Sequence, residues 1–245
     1  MSKEVEQLTA ILKASDNIVF FGGAGVSTAS GIPDFRSAGG IYSQRLSAEF
    51  TPEEMVSHSF FVHHPEDFFD FYRDKMVYPD AEPNGCHKAL AKLERMGKIK
   101  AVVTQNIDGL HQKAGSEIVF ELHGSVLRNY CTHCHAFYDD KWIMAQPGVP
   151  KCEKCGATVK PDVVLYEEAL DPAQINGAVA AIEKADTLIV GGTSLIVYPA
   201  AGLIHYFRGR HLVEINKSAT SADNAAELVI RDDIAKVMAE AVADL

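Results

Sequence analysis

The sequence predicts an α/β protein in which a doubly wound parallel sheet carries a smaller inserted domain. Short apolar runs typical of buried strands alternate with helical patterns, and this alternation is typical of a parallel sheet covered by helices on both faces. The first apolar run ends in a glycine turn, as strands of such sheets often do before a helix. Two long stretches interrupt the alternation, and they predict the inserted domain.

The strand and helix patterns follow one another along the chain. Val5, Leu8, Ile11 and Leu12 recur at helical spacing and predict a first helix. Apolar runs predict strands at 18–21, 101–104, 118–120, 163–166, 187–190 and 212–215. Helical patterns, two of them closed by a glycine, predict helices at 86–96, 172–185, 199–207 and 233–242.

The two interruptions predict a two-part organisation. Residues 37–78 contain aromatic-rich helical segments, and residues 126–160 contain two cysteine pairs. We predict that both stretches build the smaller domain. The larger domain then comprises 1–36, 79–125 and 161–245. Because no low-complexity tract or flexible linker is evident, we expect the two parts to pack closely.

Composition narrows the classes of function. The chain has 245 residues, of which 47% are hydrophobic and 23% charged, so it can bury a full core. A formal net charge of −10 disfavours nucleic acid as a partner, because that affinity comes mostly from clustered Lys and Arg. No apolar run approaches the roughly 20 residues needed to cross a bilayer. We therefore expect a cytoplasmic protein with no membrane partner, and we expect a monomer.

The glycine turn after the first strand suits a phosphate ligand. Gly23 and Gly25 would let backbone N–H groups approach a pyrophosphate at the start of a helix. The dinucleotide-binding fingerprint is incomplete, because Thr28 stands where glycine or alanine is expected and no acidic residue ends a second strand about 20 residues later. A tight turn that feeds a helix is the open alternative.

The glycine turn continues into a string that resembles the sirtuin family. Residues 24–36 read AGVSTASGIPDFR. Further matches follow in the family's order, namely TQNIDGLH at 104–111, LHG at 122–124, two C-x-x-C pairs, KPDVV at 160–164, GTSL at 192–195 and VEIN at 213–216. The resemblance spans almost the whole chain. It implies an NAD-dependent protein-lysine deacetylase with a Rossmann-like NAD-binding domain and a smaller inserted zinc-binding domain.

The resemblance also implies a reaction and its base. NAD would act as co-substrate: nicotinamide leaves its ribose, and the acetyl group passes to ADP-ribose, giving O-acetyl-ADP-ribose. His123, in the element at 122–124, resembles the family's catalytic histidine, which activates a ribose hydroxyl. An imidazole with an unperturbed pKa near 6.5 can take a proton at neutral pH. One histidine among ten is usually structural, so the assignment of His123 depends on its motif.

The same resemblance implies which residues bind NAD. Asp108 matches the aspartate that holds the nicotinamide carboxamide, Gln105 lies by the nicotinamide ribose, and Asn216 is placed to hold the adenosine ribose. Each of these residues, taken alone, also fits an ordinary loop position. The complete predicted set of cofactor-binding residues is Ala24, Thr28, Phe35, Arg36, Gln105, Asn106, Ile107, Asp108, His123, Thr193, Ser194, Asn216 and Asp233.

The resemblance further implies that the substrate is an acetylated lysine in a protein or peptide, contacted by Val164 and Tyr166, because the family's substrate peptide lies along this segment. Both residues could instead belong to a core strand of the sheet. Where sirtuins commonly have Phe-Gly-Glu, this chain has Tyr166-Glu167-Glu168. Replacing the glycine with Glu167 puts charge and bulk beside the presumed peptide groove.

Acyl preference depends on a second pattern. Family members that prefer succinyl or malonyl lysine carry Tyr-x-x-Arg, which binds the extra carboxylate. Here Tyr72 is followed directly by Arg73, and Lys75 comes two residues later. The pattern is not matched, so acetyl is favoured over acidic acyl groups, although Lys75 could still offer a cation.

The cysteines predict a structural zinc ion. Cys131 and Cys134 form one C-x-x-C pair, and Cys152 and Cys155 form another, so that four thiolates can complete a tetrahedral shell. A complete shell leaves no position for water, which favours a structural metal over a catalytic one. Cys86 stands apart from the pairs.

Other classes of protein share parts of these patterns. A zinc-ribbon binding module would use the same cysteines but would need none of the other elements. A dehydrogenase that uses NAD for hydride transfer would share the fold, but the dinucleotide-binding fingerprint of that class is incomplete in this chain. Within the resemblance, a protein mono-ADP-ribosyltransferase or a deacylase for other acyl-lysines stays open, because both reactions begin with release of nicotinamide.

Overall fold

The computed structural model describes residues 2–35, 40–41 and 50–245. Within them, six parallel strands form the main sheet, in the order β3-β2-β1-β7-β8-β9. Their bounds are Ile18–Gly22 (β1), Ile99–Thr104 (β2), Val119–Glu121 (β3), Thr187–Gly191 (β7), His211–Ile215 (β8) and Leu228–Ile230 (β9). The chain runs outward from β1 in one direction and from β7 in the other. The predicted doubly wound α/β class is therefore confirmed.

Helices cover both faces of the main sheet. On one face lie α1 (Lys3–Ala14), α5 (Gly85–Arg95) and α9 (Ile234–Ala241), whose apolar residues share a core with β1 and β8. On the other lie α8 (Pro172–Lys184) and a 3₁₀ segment, Ala200–Tyr206. Because β1 and β7 are sandwiched between these layers, all five residues of each are buried.

The smaller unit combines four helices with a second sheet. Its helices are α2 (Pro52–Met55), α3 (His58–His63), α4 (Pro65–Lys75) and α7 (Asp140–Ala145). The antiparallel sheet has the order β5-β4-β6, with bounds Phe137–Asp139, Gly124–Cys131 and Val159–Val163. Buried aromatic residues from α3 and α4 pack against this sheet, so the two interruptions of the sequence pattern share one core.

Three elements differ from the sequence-based expectation. Of the predicted strand at 163–166, only Val163 lies in a strand: it ends β6, which pairs with β4 in the small sheet and not with the parallel one, and residues 164–166 lie outside the named strands. The predicted helix at 199–207 is a 3₁₀ segment. The edge strand β9 carries only three residues, too few for a recognisable pattern.

A short helix, α6 (Leu110–Lys113), completes the set of α-helices and begins directly after the loop at 105–109. None of the helices in the described part of the chain is long and apolar enough to span a membrane.

Candidate active site

One large cleft lies at the carboxyl ends of the parallel strands, where the strand order reverses between β1 and β7. Its volume is about 800 Å³. Its walls include the turns after β1, β2 and β7, residues 163–168 and the end of α4. A cleft at this position is where open α/β sheets bind their ligands.

The glycine turn after β1 packs against the turn after β7. Gly25 N–H donates to the carbonyl of Gly192 at 2.8 Å, and a Cβ on Gly25 would lie 2.9 Å from the Cα of Gly192. A Cβ on Gly23 would lie 2.8 Å from Cβ of Thr193. The glycines are therefore required by close approach of two backbones, and the same turn borders the cleft.

The hydroxyl of Ser27 joins the glycine turn to the loop after β2. Ser27 Oγ donates to Asp108 Oδ2 at 2.6 Å and accepts from Asn106 Nδ2 at 3.0 Å. The other Asp108 oxygen accepts from the N–H of Leu110 at 2.9 Å, so the carboxylate also binds the first N–H of α6. Burial raises the pKa of Asp108, whereas these hydrogen bonds lower it.

Ser27 is not among the cofactor-binding residues that the sequence predicts. The sequence feature that could have indicated Ser27 is its position between Ala24 and Thr28, which are both predicted to bind the cofactor. The Thr28 hydroxyl itself donates to the carbonyl of Gly25 at 3.0 Å, so it stabilises the turn. Ala24, Thr28 and Ile107 all line the cleft.

Gln105 connects the ends of β2 and β7. Its Nε2 donates to Thr193 Oγ1 at 3.0 Å, and its backbone N–H donates to the carbonyl of Gly22 at 3.0 Å. Thr193 in turn accepts from the N–H of Leu195 at 3.3 Å. Gln105, Thr193 and Ser194 all lie on the cleft wall, and their role in cofactor binding stays a prediction.

His123 lies between β3 and β4 with its ring fixed by one hydrogen bond. Nδ1 lies 2.9 Å from the backbone carbonyl of Gln105, and because a carbonyl only accepts, Nδ1 carries the proton. Nε2 of the neutral ring is then the basic nitrogen. Burial lowers the pKa of His123, and the bond to Gln105 opposes that change, so the ring is held neutral beside the cleft.

Val164 and Tyr166 follow the short sheet to the mouth of the cleft. Val164 N–H donates to the carbonyl of His123 at 3.0 Å. Tyr166 forms a parallel bridge with Ser57, and its side chain is 39% exposed. Both residues line the cleft, and neither lies within a strand of the main sheet.

The opposite end of the cleft is formed by residues after β8 and before α9. Asn216 lines it and donates from Nδ2 to the carbonyl of Ser218 at 2.8 Å. Asp233 caps α9 through the N–H of Ala235 at 3.0 Å and pairs with Lys217 at 2.7 Å. Its neighbours Asp232 and Ile234, and not Asp233, are among the residues that line the cleft.

Phe35 also lines the cleft and packs against the core of the smaller unit. Arg36, its predicted partner in cofactor binding, lies outside the described residues.

The four paired cysteines converge at one end of the smaller unit. Their Sγ atoms all lie within 4.8 Å of one another, and the shortest separations are 3.4 Å for Cys131–Cys155 and 3.5 Å for Cys134–Cys152. These separations exceed a disulfide bond of about 2.05 Å. They are close to the ~3.8 Å between sulfurs of a tetrahedral zinc shell with Zn–S bonds of about 2.3 Å.

Backbone N–H groups support each cysteine pair. Cys131 Sγ accepts from the N–H groups of His133 and Cys134, both at 3.4 Å, and Cys152 Sγ accepts from Lys154 N–H at 3.4 Å. Such contacts stabilise thiolates. The donor set therefore fits zinc, and none of the four cysteines lines the cleft.

Comparison with known proteins identifies the family. The model of the Sir2 family matches residues 23–199. A protein of Clostridium perfringens named NAD-dependent protein deacetylase is 65% identical over 243 residues, which is 99% of this chain and 100% of that protein. One of the same name from Clostridium acetobutylicum is 59% identical over 96% of both chains. The chain belongs to the Sir2 family, as the sequence resemblance predicts.

Solved structures agree with this assignment. A Sir2 enzyme structure superposes with a TM-score of 0.89 at 39% identity, covering 99% of this chain and 98% of the other. A Sir2 complex with deacetylated p53 peptide and 3′-O-acetyl-ADP-ribose gives 0.89 at 36% identity over 98% of both chains. A Sir2 complex with p53 peptide and NAD⁺ gives 0.82 at 38% identity, covering 97% of this chain and 96% of the other.

Proposed function

We propose that this protein is an NAD-dependent protein-lysine deacetylase that transfers the acetyl group to ADP-ribose. The observation that carries the proposal is that one cleft brings together the glycine turn, the loop at 105–108 and the neutral His123 ring. The names of its relatives and the Sir2 complexes with NAD⁺ and acetyl-ADP-ribose support it.

The cleft has the form that NAD requires. The closely packed turns after β1 and β7 leave no room for side chains where they meet and present backbone at its wall. NAD, when bound, supplies a ribose carbon that becomes electrophilic as nicotinamide leaves. Asn106 and Asp108, fixed by Ser27, present the polar groups that would hold the carboxamide. Asn216, at the other end, would hold the adenosine ribose.

His123 supplies the base. Its Nδ1–H is held by the carbonyl of Gln105, so Nε2 is left to accept a proton from a ribose hydroxyl. The backbone carbonyl of His123 itself accepts a hydrogen bond from the N–H of Val164. This bond connects the proposed acetyl-lysine site to the base. Val164 and Tyr166 would contact the lysine stem and its acetyl group.

The four cysteines would hold one structural zinc ion. A zinc ion bound there would cross-link the end of β4 to the segment before β6. None of the four cysteines lines the cleft, so the role of the ion would be structural. The domain boundaries, the cytoplasmic location and the monomeric state stay predictions.

A direct assay tests the proposed function. With NAD and an acetyl-lysine peptide, we expect nicotinamide release that depends on the peptide and forms O-acetyl-ADP-ribose in equal amount. Formation of NADH would contradict the deacetylase function and indicate a dehydrogenase that transfers hydride. Transfer of ADP-ribose to protein without deacetylation would support the transferase, and preferential turnover of a succinyl peptide would show a deacylase of different preference.

The acid limb of the pH–rate profile should lie below the ordinary histidine range. Because burial lowers the pKa of His123, its neutral, basic form persists as pH falls and is lost only below pH 6.5. We therefore expect kcat/KM to keep more than half of its plateau value at pH 6.5. Circular dichroism over the same range separates loss of the base from unfolding. An acid limb with its midpoint above pH 6.5 would contradict this role.

A further inference from the structure

Glu167 occupies a left-handed turn at the mouth of the cleft. Its φ is 76°, a conformation that side chains with a Cβ rarely adopt. The side chain is exposed, whereas Leu165 on the same segment is buried. Val164 N–H donates to the backbone carbonyl of His123, and Glu167 comes three residues later in the chain. At about 3.3 Å per extended residue, the turn therefore lies a short distance from the base.

Ser59, at the start of α3, holds the carboxylate of Glu167 in place. Oε2 accepts from Ser59 N–H at 2.9 Å and from Ser59 Oγ at 2.7 Å. These two bonds lower the pKa of Glu167, so the group is ionised at neutral pH. The neighbouring His58 bonds to Glu168 instead, at 2.8 Å. Glu167 therefore presents a negative charge at a defined position on the rim.

The charge of Glu167 is not cancelled by an ion pair within the described ranges. Glu168 pairs with Lys160 at 3.0 Å, and Lys75, which also lines the cleft, pairs with Asp74 at 3.0 Å. Across residues 2–35, 40–41 and 50–245, no Lys or Arg lies within 4.0 Å of the Glu167 carboxylate. The rim at this point is thus open to a cation from a ligand.

We propose that Glu167 is a specificity-determining residue that selects acetyl-lysines flanked by basic residues. The inference rests on the proposed deacetylase function, which places a peptide at this mouth. The acetyl-lysine side chain enters toward His123, so residues on either side of it stay at the rim beside Glu167. A flanking Lys or Arg is attracted there, and a flanking Asp or Glu is repelled.

Three acetyl-lysine peptides that differ only in the flanking residues test this preference. They carry Arg, Gln or Glu on both sides of the acetylated lysine. We expect kcat/KM to fall in that order, with about 1.5- to 5-fold between the Arg and Gln peptides, the size of an exposed ion pair. Raising the ionic strength to 0.5 M should compress the ratio between the Arg and Glu peptides, because exposed charges are screened.

Glu167→Gln removes the charge and keeps an oxygen that can accept from Ser59. In this variant the Arg-to-Glu ratio should approach one. Glu183→Gln makes the same change in net charge at an exposed position of α8, a helix that does not line the cleft, and should keep the wild-type ratio. An equal ratio in wild type and Glu167→Gln, or an equal loss in both variants, would overturn the inference alone. Failure of wild type to deacetylate all three peptides would overturn the proposed function as well.

Discussion

Replacing His123 with alanine should lower the rate of deacetylation by about 10²- to 10⁴-fold, the usual contribution of a general base. The ring lies on the wall of the cleft near Val164, and burial and the Gln105 carbonyl hold it neutral. The measurement is kcat/KM for an acetyl-lysine peptide at saturating NAD. We expect the variant to bind one equivalent of zinc and to give the wild-type far-ultraviolet circular dichroism spectrum.

Two further variants make the result specific. His123→Asn keeps a side-chain N–H that can donate to the Gln105 carbonyl but has no basic nitrogen, so it should be as slow as the alanine variant. His63→Ala, at the exposed end of α3, should keep the wild-type rate. Activity retained in His123→Asn would show that orientation of the loop, and not proton transfer, is what His123 provides.

Replacing Cys131 and Cys134 together with alanine should abolish zinc binding and unfold the smaller unit. Structural zinc contributes about 10–16 kcal/mol of apparent binding free energy in zinc-finger peptides, which is comparable to the whole stability of a domain. Metal analysis should give one equivalent of zinc per chain in the wild type and none in the variant. We expect cooperative thermal unfolding at a lower temperature, with loss of activity, because α3 and the Glu167 turn are held by this unit.

The fifth cysteine supplies the matched control. Cys86 is buried in the core between α5 and the main sheet, so Cys86→Ala should keep the full zinc content. One equivalent of zinc retained in the double variant would show that these cysteines are not the ligands.

The main sheet is predictable from sequence because both of its faces are buried. In β1 and β7 every residue must be apolar or small, so each strand reads as a continuous apolar run between turns. β6 is different. Its last residue, Val163, pairs with Gly124 of β4, 39 residues away, and nothing local in the apolar run at 163–166 shows that the strand ends at Val163 and joins the small sheet.

The candidate site divides in the same way. His123, Asp108 and the paired cysteines belong to short motifs in which residue type and spacing already indicate the chemistry. Ser27 was missed because its contact with Asp108 spans 81 residues. Whether Asp233 points at a ligand or caps a helix is likewise a matter of side-chain direction, and its carboxylate caps α9 and pairs with Lys217.

The sequence by itself determined the family and the parallel sheet, and it predicts the base and the metal ligands, because these depend on residue types at short spacings. Only the tertiary structure decided where the Glu167 carboxylate lies and which groups bind it. From sequence it was a bulky charge in a peptide groove, yet its carboxylate is held by Ser59, 108 residues away in the chain. A charged side chain can block a groove, form an ion pair or attract a ligand, depending on which polar groups the fold brings within hydrogen-bonding distance. Distances between residues far apart in the chain cannot be obtained from the sequence alone.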